Sequence, residues 1–156
     1  MNIGKGLLAG LAAGAAGTTA LNTVTYLDMA IRGRGTSSTP EDTVEAIATK
    51  TGTHVPSDEE SRKNRDSGLG ALLGILAGLG VGAVLGAAHG VGRRPNLAAA
   101  ALLTGLGAMI ATDAPMAALG VSDPRTWKPA DWASDALPHL AYGLTTAAVV
   151  RALSGS

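Results

Sequence analysis

The stretch GALLGILAGLGVGAVLGAAHG, residues 70–90, places Gly70, Gly74, Gly78, Gly82, Gly86 and Gly90 on every fourth position. Ala, Leu, Ile and Val fill nearly all the space between them. In water a glycine inside a helix costs about 1 kcal/mol relative to alanine, so six at helical spacing make a poor soluble helix. In lipid the backbone cannot exchange its hydrogen bonds for water, and small residues let two helix backbones approach closely. A helix from Gly70 to Gly90 rises about 30 Å, the thickness of a bilayer's hydrocarbon core. Residues four apart drift by about 40° around a straight helix, so the row forms an inclined groove suited to a right-handed crossing. The stretch predicts a membrane-spanning helix built for close contact.

Composition extends this reading to the whole chain. Glycine (22) and alanine (30) make up a third of the 156 residues, and there is no Phe and no Cys. Twelve basic and twelve acidic side chains cancel, which removes the field that would draw in nucleic acid. Long uncharged runs cover Leu7 to Leu27, Ser67 to Gly92 and Pro95 to Thr112, the last continuing apolar past Asp113 to Val121. About 20 helical residues span a bilayer, and these three runs meet that length. A fourth, Ala136 to Val150, offers 15 uncharged residues and spans only if Arg151 snorkels to the interface. The expectation is an all-α, polytopic membrane protein with four transmembrane helices near residues 6–29, 67–91, 95–120 and 134–153, forming one domain over 1–156. The N-terminal stretch also has the shape of a cleaved signal peptide, but its apolar run continues to Leu27, longer than a signal core.

Small residues recur on every predicted span. The first carries Gly6, Gly10 and Gly14; the third has Ala98 to Ala101, Gly105, Gly107 and Ala108; the fourth has Ala141, Gly143 and Ala147. Glycine-zipper packing is therefore expected, with the 70–90 segment at the centre of the bundle or at the seam of an oligomer.

The first connection, about 30–66, holds one amphipathic helix in SSTPEDTVEAIATKTG. Thr39 is the expected N-cap, Pro40, Glu41 and Asp42 suit the first turn, and Gly52 suits the C-terminal cap. Val44, Ile47 and Ala48 give this helix an apolar face, fit to lie on the membrane or against the bundle. Ser57 and Glu60 have the spacing of a capping box, opening a second helix that can run into the 67–91 span. In the third connection, Asp123–Pro124 and Lys128–Pro129 read as two short helical starts, each with a tryptophan three residues after its proline.

Alternating four helices puts the first and third connections at one end. All four aromatics, Tyr26, Trp127, Trp132 and Tyr142, are then assigned to that end, with Asp28, Asp113 and His139. The opposite end holds Lys5, His89, Arg93, Arg94 and Arg151, His89 being read as a surface residue at a helix terminus. Candidate binding residues are therefore Asp28, Asp113, His139, Trp132 and Tyr142. Asp113 precedes Ala114–Pro115 inside an apolar run. It reads as an interfacial or capping carboxylate, as a group for a substrate, ion or proton, or as the partner of His139 or a loop arginine. Two carboxylates and an imidazole could ligate a metal, but no spacing requires it, and no metal or cofactor is expected. No nucleophile motif, phosphate loop or HExxH pair is present, so no enzymatic activity is expected. Eight Lys/Arg in the first and third connections against four at the other end favour the aromatic end in the cytoplasm, whereas the length of the first loop and the Arg93–Arg94 hairpin argue the reverse.

APMAALGVSDPRTW followed by DWASDALPHLAYG resembles the last third of uncharacterised bacterial inner-membrane proteins of the YagU type. The matching positions are Pro115, Leu119, Gly120, Trp132, Asp135, His139 and Leu140, and STPEDTVEAIA resembles the first loop of actinobacterial members. The resemblance implies a four-helix protein of the bacterial cytoplasmic membrane and brings no activity with it. Together these readings lead to a small multi-pass protein acting by helix contacts in lipid, through self-association or as accessory subunit of another membrane protein. The alternative is a small transporter or channel with a polar path near Asp113 and His139.

Overall fold

The computed structural model describes residues 1–54 and 57–155, leaving two positions of the expected 30–66 loop outside the description. Among the described residues the chain forms five α-helices: α1 (Ile3–Arg32), α2 (Thr39–Thr51), α3 (Glu59–Gly90), α4 (Leu97–Leu119) and α5 (Pro129–Ser154), with a single 3-10 turn at Pro124–Thr126. By length and composition α1, α3 and α4 are apolar enough to cross a membrane. α5 falls short, because its apolar run is brief and interrupted by His139, Tyr142, Thr145 and Thr146.

The helix ends follow local chemistry. Asn2 and Asn96 cap α1 and α4, each side chain accepting from the backbone N–H three residues on at 2.9 Å. α3 is capped by Asp58, which accepts from Ser61 N at 2.9 Å, and not by the expected Ser57–Glu60 box. The α2 cap position falls on Ser38, one residue before the expected Thr39, with Pro40 still in the first turn. Gly52 and Gly120 end α2 and α4 at φ +66° and +78°, where a Cβ would be strained. α3 runs unbroken from the charged end of the first connection into the apolar segment, as expected. α5 begins at Pro129, earlier than the expected 134: Asp131 Oδ2 accepts from Lys128 N at 2.9 Å, so the second proline start of the third connection opens this helix directly.

Four long helices pack as an up-down-up-down bundle, α1 against α3 and α5, α4 against α5 and, less extensively, α3. α1 turns one stripe inward, Gly6, Ala9, Gly10, Ala13, Gly14 and Gly17. Against α3 the register is antiparallel: Gly6 lies on Gly86, Gly10 on Gly82 and Gly14 on Gly78, so close that a methyl group at Gly6, Gly10, Gly14, Gly82 or Gly86 would strike backbone, and one at Gly78 would strike the Thr18 hydroxyl. Further along, Gly17 meets Thr146 and Tyr142 of α5. α4 and α5 approach in the same way, Gly143 against Ala101 and Gly105, and Gly105 against the His139 carbonyl.

The centre of the bundle differs from the expectation. α5 contributes Tyr142, Thr146, Ala147 and Val150, all fully buried, whereas α3 exposes Leu69, Leu72, Leu73, Ile75 and Leu76. α3 packs on α1 through part of its glycine row, while these large side chains point away. Within the 70–90 row, Gly78, Gly82, Gly86 and Gly90 face α1, Gly70 abuts Pro40 of α2, and Gly74 has no neighbouring atom within 4 Å of where its Cβ would stand.

α2 docks on the bundle rather than standing apart. Val44 and Thr43 are buried against it, while Ile47 of the expected apolar face stays exposed. Glu45 accepts from Arg62 at 2.9 Å and Glu41 from Ser67 at 2.9 Å, tying α2 to the charged first turns of α3.

Candidate functional site at the loop-bearing end

The first and third connections meet at one end, where Arg32 Nη1 donates to Ser134 Oγ at 3.1 Å. Here α4 and α5 bring their titratable groups together. His139 lies one turn after Asp135, its Nδ1 donating to the Asp135 carbonyl at 2.8 Å and standing 3.3 Å from Asp135 Oδ1. Asp113 reaches this pair from α4 and interacts electrostatically with both residues. Thr112 Oγ1 contacts the Asp113 carboxylate at 3.5 Å. Asp135 Oδ2 is buried without a donor. The result is a half-buried group of two carboxyls and one imidazole at the α4–α5 seam. Pro138 directly precedes His139 inside α5. It has no N–H to give to the Ser134 carbonyl four residues back, so α5 lacks one backbone bond in the turn before His139.

The other expected site residues separate from this group. Asp28 pairs with Arg34 Nε at 2.6 Å and Arg32 Nε at 3.5 Å, an ion pair that closes the end of α1. Tyr26 is exposed, and Trp132 is partly exposed, edge-on to Trp127 with ring centroids 5.1 Å apart. Trp127 Nε1 donates to Ser122 Oγ at 3.0 Å, fastening the tryptophan pair to the connection. Tyr142 is not at this end's surface. Because α5 starts at Pro129, Tyr142 lies in the middle of the bundle, fully buried, its hydroxyl donating to the Gly78 carbonyl at 2.5 Å. Among the described residues no set of three His, Asp, Glu or Cys side chains is arranged to hold a metal ion.

Asp135 is the member of the cluster that sequence reasoning did not single out as a site residue. Its four-residue spacing to His139 was the available signal. His89, read as a surface residue, is only 1% exposed. Near the cluster the third connection borders a shallow hollow of about 590 Å³ lined by Ala117, Gly120, Ser122, Asp123, Pro124 and Arg125, and none of the cluster lines it. Arg125 grips Asp123 at 2.9 Å, and its hydrogen bonds hold that carboxyl below the usual carboxylate range. Toward the opposite end the bundle axis is filled by Tyr142, Thr146, Ala147 and Val150.

No protein-family model, curated protein or solved structure matches this chain.

Proposed function

We propose that this is a small four-helix integral protein of the bacterial cytoplasmic membrane that acts through helix contacts, as a homo-oligomer or as an accessory subunit of a membrane complex, with no catalysis of its own. α5 is the fourth span in this reading. Its 26 residues give a helix of about 39 Å, and its polar groups are covered by α1 and α4 instead of meeting lipid. The glycine rows of α1 and α3 act as a zipper inside the chain, which frees the remaining small surface of α3 for a neighbour. The resemblance of the α4–α5 region to YagU-type proteins points to the same membrane.

The observation that carries the reading is Gly74. It alone of the six-residue row has an open flank, framed by the exposed Leu72, Leu73, Ile75 and Leu76. Small residues with large apolar neighbours are how helices associate where lipid removes the hydrophobic drive. The test is the mass of the protein extracted in mild detergent, with co-purifying chains identified, for wild type and Gly74→Leu. The reading expects a defined complex that Gly74→Leu dissolves while helix content is unchanged. A monodisperse single chain from native membranes, identical in the variant, would sink it.

A second reading rests on the Asp113–Asp135–His139 cluster: a transporter that binds a proton or small cation at the α4–α5 seam. It predicts that Asp113→Asn abolishes flux in proteoliposomes with the bundle intact.

A further inference from the structure

Both helices of the α4–α5 seam carry a proline beside the titratable cluster. Pro115 lies two residues after Asp113 in α4, and Pro138 directly precedes His139 in α5. Neither has an N–H, so each helix lacks one backbone bond close to its share of the cluster. A helix bends most readily where such a bond is missing. Toward the opposite end the same two helices are clamped. Gly143 lies on Ala101 and Gly105, and Gly105 on the His139 carbonyl, with no room for a methyl group. Asp113 and Asp135 each stand about two turns to the loop-bearing side of this crossing. The seam is fixed at one point and hinged beyond it.

Three titratable side chains meet across the hinged part. The Asp113 side chain is within hydrogen-bonding reach of the Asp135 side chain on the facing helix. His139 Nδ1 stands 3.3 Å from Asp135 Oδ1, and its ring also interacts with Asp113. The neighbouring elements bring other charges to this end. Arg32 of α1 donates to Ser134 Oγ at 3.1 Å and pairs with Asp28, itself held by Arg34. Lys50 of α2 reaches the Ala118 carbonyl at 3.5 Å, and Asp131 of α5 accepts from Lys128 N. Residues 67–88 of α3 carry no titratable side chain. Imidazole is the side chain that ordinarily changes charge between about pH 5 and 8. With the ring charged, one cation lies beside carboxylates of two helices and holds them together. With the ring neutral, two carboxylates face each other in a half-buried seam, where like charges repel more strongly than in water.

We propose that Asp113, Asp135 and His139 form a pH-sensitive latch between α4 and α5. The loop-bearing ends of the two helices stay together while the imidazole is protonated. They part, about the Gly105–Gly143 crossing, when it loses the proton. The latch rests on the cluster of the transporter reading, as regulation of that same site, and needs no flux to operate. Closing takes up one proton, so the ratio of open to closed chains rises by at most about tenfold per pH unit. The closed form is the one favoured in acid. Carboxyls protonated at still lower pH donate to one another, so further acid does not reopen the seam.

The chain has no cysteine, so spin labels attach only where cysteines are introduced. Ala114→Cys with Ala133→Cys marks the hinged ends, and Ala98→Cys with Ala148→Cys marks the far side of the crossing; all four positions are exposed. Distances are read by continuous-wave and pulsed electron paramagnetic resonance on the full chain in micelles. Dilution with unlabelled chain keeps each distance within one molecule. The expected result is a shift of the Ala114–Ala133 pair to longer distance from about pH 5 to about pH 8, with the Ala98–Ala148 pair unmoved. Asp113→Asn supplies a neutral amide that donates to Asp135, and the shift disappears. His139→Gln, uncharged at any pH, abolishes it as well; should that variant fail to fold, Asp113→Asn decides alone. An unmoved Ala114–Ala133 pair in the otherwise native chain overturns the latch. So does a shift that persists in Asp113→Asn, or one shared by both pairs. Because no flux is measured, loss of the latch leaves the transporter reading standing, and the proteoliposome assay judges that reading separately.

Discussion

Replacing Gly82 by alanine tests whether two backbones touch at the α1–α3 crossing. A Cβ at Gly82 would stand 2.5 Å from the Gly10 carbonyl oxygen, 2.6 Å from Gly14 Cα and 2.8 Å from Gly14 N. All three are backbone atoms, so no side chain can swing aside. Ordinary contact begins at 3.4 Å, and the helices must part by up to 0.9 Å at that point to admit the methyl group. A gap of about 0.5–1 Å forfeits a quarter to a half of each neighbouring dispersion contact. Those contacts include the next pairs along the seam, Gly6 with Gly86 and Gly14 with Gly78. Overpacking of this kind costs about 1–3 kcal/mol, which outweighs the gain of about 1 kcal/mol that alanine brings to a helix interior in water. Gly74→Ala is the control, because open space lies where its Cβ would be. Reversible unfolding in mixed micelles, followed by circular dichroism, should show Gly82→Ala less stable than Gly74→Ala by about 1–3 kcal/mol. Equal stability of the two variants would refute backbone contact at this seam.

Three further outcomes are expected. Tyr142→Phe removes the buried hydroxyl bond to the Gly78 carbonyl and should cost about 0.5–1.5 kcal/mol in the same unfolding assay. No change there would mean that the carbonyl, already bonded within α3, gains nothing from the phenol. Asp113→Asn should leave the detergent-extracted mass unchanged if the protein works by helix contacts, and a changed mass would tie the polar cluster to assembly. Arg34→Ala strips Asp28 of its closer partner in a half-buried pair and should lower stability by about 1 kcal/mol or less. A larger loss would show that this pair holds the first connection against the bundle.

The acid–histidine cluster was only half legible beforehand. Asp113 and His139 stand out as titratable groups inside apolar runs, and alternating the helices brings them to one end. Asp135 does not stand out, since a carboxylate in a polar turn is unremarkable until the helix is known to begin at Pro129. That same shift carries Tyr142 from the expected loop-bearing end into the interior. The boundary turned on whether Lys128–Pro129 opened a separate turn or the helix itself, and both have the same local cap chemistry. His89 shows the opposite failure. Position near a helix terminus usually means exposure, but His89 is buried, its Nδ1 bonded to the Leu85 carbonyl and the α3–α4 connection beside it.

The sequence by itself determined that the chain is helical, that three of its helices can lie in lipid, and that their contacts are made through glycine. Those conclusions depend on run length, charge and spacing, which are properties of each segment alone. Only the tertiary structure decided which helix fills which groove. Gly78, Gly82 and Gly86 offered a surface to any small-residue partner, and the antiparallel register with Gly14, Gly10 and Gly6 selected α1. The structure also made α5, the one long helix among the described residues that is not apolar enough to cross a membrane, the one with the most fully buried side chains. The physical reason is that polar side chains gain from cover and partners: Tyr142, Thr146 and His139 of α5 are buried among the other helices, while leucines of α3 turn outward.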